Sequence, residues 1–182
     1  MNRRFFIKSL LFFLSSFSFK ILASNKKGFV SFDYGVASGD PTNTQVILWT
    51  KITTENPLIH TVIWEVSDDT SFNKIIASGF FEAKPFDDYT VKVDANIPIE
   101  FNARKIYYRF KSNGVLSEIG TTSTLPIQNP DKFNIAFCSC SNYPAGYFNA
   151  YKEMANDKEV DVVLHLGAVS YTHLTLPTKD SV

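Results

Sequence analysis

From residue 30 to residue 124 the chain is written in short apolar stretches separated by turn-forming residues, a pattern that leaves few folds open. The stretches cover residues 30–37, 45–52, 60–67, 74–83, 88–94, 105–112 and 115–123. Thr61-Val62-Ile63-Trp64-Glu65-Val66 and Lys105-Ile106-Tyr107-Tyr108-Arg109-Phe110 show the alternation of half-buried antiparallel strands. Ser38-Gly39-Asp40-Pro41 reads as the first turn, and Asn113-Gly114 as a two-residue hairpin, because both its positions want positive φ. Seven strands over about 95 residues predict an all-β sandwich of the fibronectin III or immunoglobulin type, occupying residues 28–125. Trp49 and Trp64 are then expected in the core, and Tyr107 or Tyr108 is expected to make a hydrogen bond like that of a tyrosine corner.

The grammar changes after residue 125. Residues 126–131 are a linker whose two prolines, Pro126 and Pro130, resist both helix and central strand. Residues 133–137 form a continuous apolar run, as in a buried parallel strand, and residues 160–166 form a second that ends at Gly167. Between them residues 145–155 carry Tyr147, Tyr151, Met154 and Ala155 at three- and four-residue spacing, predicting a helix. Strand, helix and strand in about 35 residues make a βαβ unit, the opening of an α/β domain over residues 132–168.

The first 25 residues stand apart from this fold reading. Arg3 and Arg4 head a short apolar run, followed by Ala23 and Ser24, which together make the three parts of an export signal. The run is shorter than the roughly 20 residues of a membrane span. Arg3-Arg4-Phe5-Phe6-Ile7-Lys8 resembles the twin-arginine export motif, with Ile7 in place of the usual Leu. The alternative is an ordinary secretion signal that carries two arginines. Either implies an exported protein, periplasmic or extracellular, that touches a membrane only through a transient leader. The chain has 18 basic and 18 acidic residues, and this balance provides no electrostatic footprint for a nucleic-acid partner.

The only two cysteines are Cys138 and Cys140. Two apart in an extended segment, they point to opposite faces, and a bond between them is geometrically awkward. In a parallel sheet, function gathers in the loops beyond the carboxyl ends of the strands. Cys140 opens one such loop and Gly167 the other, so the two loops lie side by side if the strands are neighbours. A thiolate there can ligate a transition metal, although a buried inert cysteine is the competing reading. Cys138, inside the strand, suits inert packing. Ser141, Asn142 and Tyr143 suit turn-making and capping, and His165, also inside a strand, reads as a satisfied core histidine.

Gly35-Val36-Ala37-Ser38-Gly39-Asp40-Pro41 with Val46-Ile47-Leu48-Trp49-Thr50 resembles the entry to the β-sandwich of PhoD-type alkaline phosphatases. Phe137-Cys138-Ser139-Cys140-Ser141-Asn142-Tyr143, Gly146-Tyr147-Phe148 and Asp161-Val162-Val163-Leu164-His165-Leu166-Gly167 are similar to the start of that family's catalytic domain. The resemblance spans residues 30–168 and implies a calcineurin-like metallophosphatase domain carrying a ferric ion and calcium. It implies hydrolysis of phosphomonoesters, often of phosphodiesters, with metal ions polarising the phosphoryl group and activating water. Cys140 matches the family's iron-binding cysteine, and the twin-arginine machinery is the implied export partner.

The family pattern breaks after Gly167. There the family continues with a metal-bridging Asp, an aromatic, an aliphatic and an iron-ligating Tyr, whereas this chain reads Ala168-Val169-Ser170-Tyr171. Residues 169–178 resemble the translation of a transposase adapter used in DNA library preparation. The two adapter bases before that stretch, CT, turn a codon beginning with G into Ala, and Asp codons begin with G. Residues 169–182 are therefore expected to be an artefactual tail, and the metallophosphatase domain to be cut short and inactive by itself. The competing functional class is an exported β-sandwich that binds or adheres without catalysis.

Overall fold

A computed structural model describes residues 29–142 and 146–168. It divides between Leu125 and Pro126 into two compact units. The first is built from β1 (Val30–Ser31), β2 (Val36–Gly39), β3 (Gln45–Lys51), β4 (Thr53–Thr54), β5 (His60–Ser67), β6 (Ile75–Ala83), β7 (Thr90–Asn96), β8 (Ile106–Ser112), β9 (Val115–Leu116) and β10 (Gly120–Thr122). One sheet runs β2-β3-β7, the other β10-β8-β5-β6 with β9 also on β8, and every pairing is antiparallel. A small third pair joins β1 to β4.

Alternation in the sequence becomes two faces. Val46, Leu48 and Thr50 of β3 are buried while their neighbours are half-buried, and β8 repeats this with Ile106, Tyr108 and Phe110. Val62 and Val66 of β5 and Val91 and Ala95 of β7 complete the apolar layer between the sheets. Each Val, Leu, Ile or Phe fully buried here contributes about 1.5–3 kcal/mol of transfer free energy. Trp64 packs partly buried against this core, but Trp49 does not join it. The period of two explains why: with Leu48 and Thr50 facing inward, Trp49 must face out.

Two aromatic rings lie over glycines across a strand pair. Trp64 pairs with Gly79 and Tyr108 with Gly120; a Cβ on Gly79 would meet the indole at 2.7 Å, and one on Gly120 would run into the phenol ring. The Tyr108 hydroxyl is hydrogen-bonded to the Ser38 side chain, which ties β8 to β2 in the other sheet. Burial raises the pKa of that hydroxyl above 10.0, outweighing the Ser38 bond, which lowers it. On the outer face Glu65 and Arg109, directly opposed on β5 and β8, form an ion pair at 2.7 Å. The Arg109 guanidinium also lies 4.0 Å from the centre of the Phe72 ring.

Two expected strands prove to be split. Residues 30–37 divide at Gly35, whose φ of +69° makes the turn between pairing with β4 and pairing with β3. The stretch 115–123 follows β8 throughout but is interrupted at residues 117–119, where Ser117 donates its N–H to the Phe110 carbonyl and accepts the Phe110 N–H on Oγ. The Asn113-Gly114 hairpin forms as expected, with φ of 50° and 86°.

The second unit has β11 (Ile135–Cys138), α1 (Asn149–Asn156) and β12 (Val162–His165), with β11 and β12 parallel in a two-stranded sheet. The fold class is thus a β-sandwich followed by a βαβ unit. The helix is shorter than expected: Phe148, in the left-handed region at φ 52°, caps its start and leaves Tyr147 outside, 92% exposed. Among the described residues no helix is long and apolar enough to cross a membrane.

Candidate metal centre

The register of the parallel pair sets Ile135 beside Val162, Phe137 beside Leu164 and Cys138 beside His165. Both strands therefore end together, and the loops beyond them meet. Cys140 donates its N–H to the Gly167 carbonyl at 3.0 Å, and Ser141 donates to the Ala168 carbonyl at 2.9 Å. Cys140 is exposed at this edge, while Cys138 is half-buried within β11. Three residues here adopt the left-handed conformation: Cys140 (φ 60°), Gly167 (φ 97°) and Ala168 (φ 60°). For Cys140 and Ala168 that conformation costs about 1–2 kcal/mol each, so the loops are held by their cross-strand bonds against local preference.

His165 is not a core residue. It lies exposed at the end of β12, with both ring nitrogens in hydrogen-bonding contact. Nε2 is 2.7 Å from the Tyr151 hydroxyl, and Nδ1 accepts the Gly167 N–H at 3.1 Å. Tyr151 in turn stacks on Phe148 with ring centres 5.6 Å apart. The helical spacing marked Tyr151 only as part of an apolar face. Its meeting with His165 depends on how the helix lies on the strands, which spacing does not encode. Ser141 bridges to the second loop, and Tyr143 lies outside the described residues, as does everything after Ala168.

The residues brought together do not suffice for a metal ion. Among the described residues no three of His, Cys, Asp or Glu converge, and Gly167 and Ala168, which face Cys140 and Ser141 across the loops, bring no side-chain donor atom. Transition-metal sites such as those of zinc take three or more protein donors, and one thiol is not such a set. No catalytic step follows from these residues alone.

Residues 19–126 match the family described as "PhoD-like phosphatase, N-terminal domain", and residues 135–181 match "PhoD-like phosphatase". Over 166 residues the chain is 39% identical to alkaline phosphatase D of Bacillus subtilis (strain 168), covering 86% of this chain and 28% of that protein. A solved structure described as "Structure of PhoD" matches with a TM-score of 0.69 at 39% identity, over 75% of this chain and 27% of that one. The chain thus spans under a third of the length of these relatives. With two family matches in order, the first over the sandwich and the second from the βαβ unit on to residue 181, the chain belongs to the PhoD-like phosphatase family.

Proposed function

We propose that this chain carries the front of an exported, metal-dependent phosphatase acting on phosphomonoesters, phosphodiesters or both. The observation that supports this most directly is the placement of Cys140. Its exposed thiol stands where two loops meet beyond a parallel strand pair, the position at which α/β proteins gather their ligands. In this reading Cys140 is one ligand of a site that binds iron and calcium, and the other ligands come from the longer protein. In this reading the tail from Val169 onward is foreign to the protein although the family match runs to residue 181, and the source gene is expected to encode Asp at codon 168. The leader, through Arg3 and Arg4, directs export by the twin-arginine route.

The 182-residue chain itself is expected to be inactive, because its described residues supply one thiol and an alanine where a donor set is needed. Two measurements separate the parts of this reading. Sequencing the source DNA through codon 168 is expected to show Asp and an open frame running on. A genuine Ala168 codon followed by the present tail would leave a non-catalytic exported binding module. Assayed with p-nitrophenyl phosphate and bis-p-nitrophenyl phosphate in the presence of iron and calcium, the present chain is expected to show no turnover. Hydrolysis by it would contradict the reading of an incomplete site.

A further inference from the structure

The hydrogen bonds around His165 define its chemical form. Nδ1 accepts from the Gly167 N–H, so in the neutral ring the proton sits on Nε2, and it is donated to the Tyr151 hydroxyl oxygen. The ring therefore joins three elements: α1 through Tyr151, the end of β12 through its own backbone, and the loop after β12 through Gly167. Gly167 is held at both of its backbone groups, its N–H by His165 and its carbonyl by the Cys140 N–H. Glycine is the residue least able to hold a turn by its own torsional preference, so these two bonds supply what its side chain cannot.

We infer that His165 is a positioning residue: it fixes the Gly167 turn and, through the Gly167 carbonyl, the left-handed backbone that presents the Cys140 thiol. The bond from Gly167 to Nδ1 spans two residues, as an Asx-turn does, so asparagine can reproduce it and alanine cannot. Tyr151 acts on the other nitrogen and keeps the ring from turning away. Phe148, stacked on Tyr151, continues this contact to the start of the helix. The inference concerns the site of the proposed phosphatase, but its test needs neither metal nor substrate, so either can fail without the other.

Nitrogen NMR of the full 182-residue chain tests it. The expected result is a single His165 tautomer protonated at Nε2, with a coupling across the hydrogen bond between Gly167 nitrogen and Nδ1. In His165→Ala that coupling is lost and the Cys140 and Ser141 amide signals move toward unstructured-chain positions. In His165→Asn those amide signals stay near their original places, which also guards against simple unfolding of the alanine variant. A proton on Nδ1, Cys140 signals unmoved in His165→Ala, or no recovery in His165→Asn would each overturn the inference.

Discussion

The two units of this chain contain the same kinds of apolar residue and put them to opposite use. In the sandwich, Leu48, Val62, Val91, Ile106 and Phe110 are wholly buried between two sheets. In the βαβ unit no residue of α1 is buried, and the apolar strands are largely bare: Phe137 is 69% exposed and its partner Leu164 is 48% exposed. Cys138 and His165 share the strand face on which Tyr151 lies, whereas Phe137 and Leu164 share the other, where both side chains stay exposed. Even on the helix side an open hollow remains, lined by Ala136, Met154 and Val160 together with the polar Glu153, Asn156 and Asp157. Parallel sheets are stable when both faces are covered, and two parallel strands with one short helix do not meet that condition. An antiparallel sandwich closes its core with local hairpins, but a parallel sheet needs more strands and helices before its first ones are buried.

The largest effect that would sharpen this contrast is Phe110→Ala. With its ring fully buried, the substitution is expected to cost the sandwich about 3–5 kcal/mol, read as a lower urea midpoint. An unchanged midpoint would show that the sandwich is not the cooperative body. Next comes Gly120→Ala, where the added Cβ has no room beneath the Tyr108 ring; a loss of about 1–3 kcal/mol is expected in the same assay. A gain would show that the ring moves aside easily.

Alkaline titration tests Tyr108. Because burial raises its folded-state pKa above 10.0, the unfolded chain ionises first. Stability tied to this group is fully present below about pH 10 and falls as pH rises through the higher folded value. Tyr108→Phe should flatten that slope while keeping the ring over Gly120. A slope that survives the substitution would have to come from another group. The smallest effect is expected on the exposed face: Phe137→Ser with Leu164→Ser should leave the unfolding free energy of the sandwich within about 0.5 kcal/mol. Light scattering should show less self-association in that variant, since an exposed apolar face with two open strand edges favours it.

The sequence made the sandwich legible because its signals are local. The bounds of β5 and the Asn113-Gly114 turn follow from alternation and from two residues that accept positive φ. The split at Gly35 was not legible, since it reflects a change of pairing partner from β4 to β3, a tertiary event. Hydrophobicity alone points Trp49 inward, but the same alternation that buries Leu48 turns Trp49 outward. In the βαβ unit the strands, and the side-by-side ends carrying Cys140 and Gly167, could be read from the apolar runs and their order. The exposure of His165 could not, because it depends on how much structure surrounds its strand, and a run of apolar residues suggests burial without showing what provides it.

Hydrogen–deuterium exchange on the intact 182-residue chain tests the central contrast most directly. The account predicts that amides of β3, β5, β7 and β8 exchange together, and slowly, through global unfolding of the sandwich. Amides of β11 and β12 should exchange at least about a hundredfold faster, through local opening of a sheet with one uncovered face. Equal protection of both sets would contradict it, and would mean that the βαβ unit is a finished structural body in its own right.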